Sequence, residues 1–252
     1  MTTHALPDAL GAIVERLLAF LAQDGCTDAQ FDALAGELFA FQFAHDEPYR
    51  RFCQRRGMLH SAPTVQVVAA AIDRHGLRQV VVDPVMVATS GATLIDPPAV
   101  ASLVRELFPR TVLVTPNLDE AALLVERPLR SEADMEGAAR ELLARGARAV
   151  LLKGGHLASD TVSDLLLMAG AAPLWMRAPR IATANTHGTG CTLSSAIAAH
   201  LALGADLPQA VQQAQQFVRG ALQAGAGVCT GAGSGPLNHG HAPQPMRLHP
   251  LP

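Results

Sequence analysis

The chain has 252 residues, a formal net charge of −3 and only 16% charged residues. That length can bury a substantial core in one large domain or two small ones. The weak charge, with no basic run and no aromatic-basic interleaving, excludes nucleic acid as the expected partner. No uninterrupted apolar run reaches about 18 residues, so no membrane span is expected. No secretory pattern is read at the N-terminus. Cys26, Cys53, Cys191 and Cys229 are scattered without metal-ligand spacing, and read as reduced thiols of a cytoplasmic protein.

In chain order, residues 8–56 read as helical. Leu10 to Leu21 has apolar residues at helical spacing, and Phe31, Leu34, Leu38 and Phe41 share one side of a second helix behind Thr27, a candidate N-cap. Most of the eight phenylalanines and the only tyrosine lie here, which sets residues 1–57 apart from the Ala/Val/Leu-rich remainder.

From Gly57 onward helices and strands alternate. Ala62–Arg74 reads as a helix and "RQVVVDPV" as a strand ending at Asp83-Pro84. Pro97–Leu107 is an expected helix, followed by the strand "TVLVTPN" and a short helix over Leu118–Val125. Ser131, with Asp134 three positions later, marks the start of a helix that Gly146 stops. The strand "RAVLLKGG" comes next, then "TVSDLLLM" and "PLWMRAP" as an antiparallel pair. A Gly-rich loop leads into a helix at Cys191, and a last helix runs from Pro208 to about Ala224. Buried-type strands alternating with helices imply an α/β fold with a mostly parallel sheet. Residues 58–239 form the expected main domain, and the histidine- and proline-containing segment after it reads as a loose tail.

Parallel sheets bind ligands at the carboxyl ends of their strands. There the sequence places Asp83, Thr115 and Asn117, and Lys153, with Glu120 close behind Asn117. Asp83, Asn117 and Glu120 offer oxygen ligands, direct or through water, for Mg²⁺ on a nucleotide, and Lys153 suits a phosphate. "ANTHGTGC" runs into the stripe Leu193, Ile197, Leu201, so a helix starts near Cys191 with free N–H groups that suit an anion. On spacing alone the loop is a phosphate site or a plain tight turn. Cys191 is either a packing residue or a thiol whose proton the helix start loosens. A Cys/His hydrolase would use His187 or His200, but the sequence fixes neither against Cys191.

Six stretches, in this order, carry a resemblance: "GML", "VVVDPVMVATSGATLI", "VTPNLDEAALL", "DMEGAARELLARGARAVLLKGGH", "NTHGTGCTLSSAIAAHLALG" and "GSGPLNH". From Gly57 to His239 the chain closely resembles the hydroxymethylpyrimidine and phosphomethylpyrimidine kinases of thiamine biosynthesis, in the ribokinase-like superfamily. The resemblance implies a three-layer fold and phosphoryl transfer from Mg-ATP to a hydroxymethyl group, then to the resulting monophosphate. It implies Cys191 as the base towards the substrate hydroxyl. Gly188, Thr189 and Gly190 would form the anion hole. Asp83, Asn117 and Glu120 would lie by the Mg-phosphate region, Thr115 and Lys153 on the nucleotide side, and Val85 and Met86 beside the pyrimidine. Family members are commonly dimers, so a homodimer is a further expectation.

Ahead of Gly57 the family carries its first strands and a glycine-rich substrate loop, where this sequence has the Phe-rich helical segment. The expected fold is therefore the family's, truncated on its N-terminal side. Three functional readings stay open: an active pyrimidine kinase, a nucleotide-binding remnant without turnover, and a kinase of a pyridoxal-type vitamin.

Overall fold

The computed structural model describes residues 62–86, 95, 97–155, 159–229 and 233–243, with residues 12, 15, 16, 19, 27 and 30 ahead of them. The chain divides into two compact units, residues 1–64 and 65–252. In the first, Ala12, Glu15, Arg16, Ala19 and Gln30 are helical. Thr27 and Gln30 cap one another: the Gln30 N–H donates to Thr27 Oγ1 at 3.3 Å, and the Thr27 N–H to Gln30 Oε1 at 2.9 Å. That reciprocal pair is the N-cap expected at Thr27. The other expectations for residues 1–61 lie outside the described residues.

α1 (Ala62–Arg74), whose first three residues close the first unit, leads in the second to β1 (Val81–Val82), α2 (Pro97–Ser102), β2 (Leu113–Val114), α3 (Leu118–Leu124), α4 (Glu132–Ala144) and β3 (Ala149–Leu152). Then come β4 (Thr161–Met168), β5 (Leu174–Pro179), α5 (Thr189–Ala202) and α6 (Leu207–Gly225). Among the described residues the sheet has five strands, in the order β1-β2-β3-β4-β5. β1, β2 and β3 run parallel, with Val81 opposite Leu113 and Val114 opposite Val150. β4 is antiparallel to β3 and to β5, as the "TVSDLLLM" and "PLWMRAP" stretches lead one to expect. β1 and β2 are short because Asp83-Pro84 and Thr115-Pro116 follow them, and proline has no N–H to give to a ladder.

The period of two along each strand divides the core. Val114, Val150, Leu152, Leu165 and Leu167 face one layer, built from α1 to α4. Leu113, Ala149, Leu151 and Leu166 face the other, built from α5 and α6. All four residues of β3 are buried, as its position between two helical layers demands. Each fully buried leucine contributes roughly 1.5–3 kcal/mol. The result is the three-layer α/β architecture expected.

Helix ends follow their residues. Ser131 accepts from the Asp134 N–H at the start of α4, and Gly146, at φ 107, ends its chain. The expected helix over Pro97–Leu107 is interrupted. It continues from α2 as a π turn over Leu103–Leu107, in which the Phe108 N–H reaches Leu103 O, and then a 3₁₀ turn over Phe108–Arg110. Pro109 is the cause, since its ring and missing N–H stop an α ladder.

The expected loose tail starts later than the sequence suggests. The Asn238 N–H donates to Ala221 O at 3.1 Å, and the His241 ring packs on Phe217 at 5.0 Å between centroids. An aromatic partner on α6 holds residues that composition alone marks as free.

Candidate active site

Three parallel strands end side by side, so the residues that follow them meet. Lys153 Nζ donates to Asp83 Oδ1 at 2.8 Å, and the Thr115 hydroxyl donates to the same oxygen at 2.9 Å. Lys153 and Asp83 are 14% and 13% exposed, and a pair withdrawn this far from water binds more firmly than a surface ion pair. Thr115 is fully buried. Expected on the nucleotide side, it instead positions Asp83 and presents no surface of its own.

The start of α5 faces this pair. A Cβ built on Gly190 would lie 3.2 Å from Lys153 Nζ and 3.8 Å from Asp83 Oδ2. Any side chain there would make the Lys153 amine give way, so glycine lets the helix start come this close. Gly188, at φ 84, is the N-cap, a left-handed conformation that suits glycine. It has no side chain to cap the helix. Among the described residues the N–H groups of Gly188, Gly190 and Cys191 have no hydrogen-bond partner. Thr189 departs from the expected anion hole: its N–H and its hydroxyl both donate to Thr186 O, at 3.2 and 2.7 Å. The turn uses the donor that the resemblance assigns to the ligand.

Cys191 is an exposed free thiol on that first turn. It opens onto a cavity of about 520 Å³, also lined by Thr192, Ser195, Ala199, Phe217 and His239. His239 Nε2 is 2.9 Å from the Thr192 hydroxyl. His200 lines the same cavity, but among the described residues no hydrogen bond joins the thiol to a histidine. The hydrolase arrangement is therefore not formed.

Asn117 and Glu120 make a capping box at α3. Asn117 Oδ1 accepts from the Glu120 N–H, and Glu120 Oε2 accepts from the Asn117 N–H, each at 2.8 Å. Glu120 is 2% exposed. Burial pushes its carboxyl up, while the Asn117 N–H, Lys153 and the Met86 N–H pull it down. Both side chains are thus engaged with backbone, and direct ligation of a cation by either would compete with the cap. Met86 itself is fully buried in the core, whereas Val85 is 39% exposed. Of the two residues expected beside the pyrimidine, only Val85 offers its side chain.

Does the donor set fit Mg²⁺? Asp83 Oδ2 faces the helix start, and the Asp83 charge is close enough to help push the Glu120 carboxyl up. Among the described residues no three His, Cys, Asp or Glu side chains converge to hold a metal alone. One or two carboxylates beside an anion site suit Mg²⁺, which keeps several waters and takes phosphate oxygens as ligands. The residues fit.

Asn185 holds the loop ahead of α5. Its Nδ2 donates to Gly225 O and Val228 O, both at 2.6 Å, and its Oδ1 accepts from the Gly235 N–H at 3.1 Å. Sequence reasoning passes over it, and over Asp164, whose Oδ1 accepts from the Gly154 N–H at 2.9 Å. Asp164 does carry a signal, as a lone carboxylate in the apolar stretch "TVSDLLLM". Asn185 has none beyond its place before the glycines.

A cation, a carboxylate oxygen and unpaired N–H groups meeting at the carboxyl ends of parallel strands suit a transferred phosphoryl group, and the protein is a kinase of ribokinase-like fold. Its architecture is similar to pyridoxal kinase from Staphylococcus aureus solved with AMP-PCP, at 32% identity and a TM-score of 0.67 over 73% of this chain and 66% of that one. Residues 51–238 match the phosphomethylpyrimidine kinase family, to which the chain belongs. It is 46% identical to a hydroxymethylpyrimidine/phosphomethylpyrimidine kinase of Rhizobium meliloti, over 73% of this chain and 69% of that protein. It is 47% identical to a thiamine biosynthesis bifunctional protein of Geobacter sulfurreducens, over 77% of this chain but 39% of that protein. Among the described residues no helix is long and apolar enough to cross a membrane.

Proposed function

We propose that the chain carries the γ-phosphoryl group of Mg-ATP to the hydroxymethyl group of hydroxymethylpyrimidine or of its monophosphate. One observation carries this reading: Lys153 Nζ and Asp83 Oδ2 lie against Gly190 in the first turn of α5, a turn that also bears open N–H groups and Cys191. Lys153 meets a phosphate oxygen of the nucleotide, and the Gly188, Gly190 and Cys191 N–H groups stabilise charge on the phosphoryl group in transit. The Cys191 thiolate takes the proton of the substrate hydroxyl. Asp83, with Glu120 through water, would hold Mg²⁺, which neutralises phosphate charge. Val85 borders the acceptor. The reduced thiols support a cytoplasmic setting. Self-association is a second expectation, since β1 is an edge strand of the sheet among the described residues, and size in solution tests it.

The deciding measurement is ADP release from Mg-ATP, with and without hydroxymethylpyrimidine or its phosphate, beside Cys191→Ala. Acceptor-dependent ADP that disappears in the variant is the expected result. A folded protein that binds ATP and releases no acceptor-dependent ADP would instead be a nucleotide-binding remnant of the family.

A further inference from the structure

Lys153 is fixed along its backbone as well as at its tip. Its own N–H donates to Pro116 O at 2.9 Å, tying the end of β3 to the end of β2. The next N–H, that of Gly154, donates to Asp164 Oδ1 at 2.9 Å. Asp164 lies on β4, and its Oδ2 accepts from Gln215 Nε2 of α6 at 2.7 Å. The peptide groups on both sides of Lys153 are thereby held, and its amine is aimed at Asp83 and the start of α5.

This arrangement is closely packed. A Cβ on Gly154 would fall 1.9 Å from Ser163 O, so β4 presses on the residue next to Lys153. The Asp164 carboxylate is crowded by protein, and burial pushes its pKa up against the two hydrogen bonds and Lys153, which pull it down. Such a cost needs a reason. Both of its partners are donors, and a carboxylate, an acceptor at both oxygens, satisfies them together. The bond chain runs from α6 through β4 to the peptide of the phosphate-facing lysine.

We propose that Asp164 is a positioning residue for Lys153, acting through its hydrogen bond to the Gly154 N–H and itself held by Gln215. It touches no substrate. It fixes where the Lys153 amine stands relative to the α5 start, and so sets nucleotide affinity. The proposal rests on the kinase reading above only through the nucleotide.

A double-mutant cycle on Mg-ATP affinity, read by titration calorimetry, tests it. Asp164→Ala is expected to weaken Mg-ATP binding by about tenfold in the wild-type background, and by less than about twofold when Lys153 is already alanine, as coupled residues behave. Asp164→Asn is expected to keep most of the affinity, because its amide oxygen still accepts the Gly154 N–H while Gln215 turns its own amide over. A purely structural Asp164 gives the same factor in both backgrounds, and that result overturns the proposal. So does an Asn variant as weak as the Ala variant. Should Asp164→Ala fail to fold, Gln215→Ala takes its place in the cycle with the same non-additive result expected and the same additive result fatal. Acceptor-dependent ADP release is measured alongside. Its absence from a wild-type chain that binds Mg-ATP removes the acceptor assignment and leaves the coupling between Asp164 and Lys153 unaffected. Additive losses remove the role of Asp164 and leave the acceptor assignment standing.

Discussion

Lys153 Nζ and Asp83 Oδ1 stand 2.8 Å apart although 70 positions separate them in the chain. Each comes directly after a parallel strand, and the sheet order puts β2 between those strands. Lys153→Ala leaves the Asp83 carboxylate enclosed with, among the described residues, only the Thr115 hydroxyl. It is expected to cost about 3 kcal/mol in denaturant unfolding, because a sheltered charge has lost its counter-ion. Lys153→Ala/Asp83→Asn is expected to recover part of that loss. A double variant as unstable as the sum of the singles contradicts the pairing.

Two glycines flank the same lysine with opposite expected outcomes. Gly154→Ala drives a methyl against the Ser163 carbonyl, backbone that cannot step aside, and is expected to cost at least about 3 kcal/mol. Gly190→Ala meets mainly the Lys153 amine, the end of a flexible chain. Its stability is expected to stay within about 0.5 kcal/mol of the parent, while turnover falls about tenfold or more as the amine is displaced. Melting curves set beside ATP turnover separate the two.

Cys191 is exposed and supports no core packing. Cys191→Ala is expected to melt with the parent and to lose about 10²–10⁴-fold in turnover, the range of a lost general base. Unchanged turnover with hydroxymethylpyrimidine would assign the proton transfer to another group.

Asn185 serves three backbone groups at once. Asn185→Ala is expected to destabilise by about 1–3 kcal/mol, the cost of leaving buried partners unpaired. It is also expected to speed hydrogen exchange at the α5 start, because the loop ahead of Gly188 loses its tie to the end of α6.

On the outer side of α1, Arg110 Nε bonds both Asp73 oxygens at 3.0 Å, with Nη2 at 2.8 Å from Oδ2. The Arg110 guanidinium holds the Asp73 carboxyl below its usual range. A carboxyl more acidic in the folded than in the unfolded chain stabilises above the unfolded pKa, and that stability is lost as pH falls through the folded value. Thermal midpoints of the parent are therefore expected to drop below about pH 4 more steeply than those of Asp73→Asn. Parallel acid limbs in the two proteins would show that the contact adds nothing.

Much of the architecture is legible in the sequence because its signals are local. Ser131 and Gly146 bracket α4 with cap chemistry that needs no partner elsewhere, and β3 reads as an unbroken apolar run because both its faces are covered. The strand-end residues are legible for a topological reason: parallel strands deliver their ends to one edge, so Asp83 and Lys153 are foreseeable as neighbours. The division of labour among them is not. Whether Thr115 touches a ligand or props Asp83, and whether Thr189 gives its N–H to a phosphate or to Thr186, depends on distances set by packing. Asp164 is harder still, since its two partners are a glycine N–H on another strand and a glutamine on a late helix.

The contributors to the site are spread along the chain: Asp83 comes first, Lys153 follows 70 positions later, and Gly190 lies in the helix before α6. During synthesis the strand that bears Asp83 leaves the ribosome well before the loop that bears Gly190. The growing chain can therefore zip its parallel strands and seat the lysine against its carboxylate while it still lacks the N–H groups that receive phosphate. Nucleotide should bind only after α6 has emerged and Asn185 has locked the loop against it. A nascent chain arrested before α5 would be folded in part and blind to ATP.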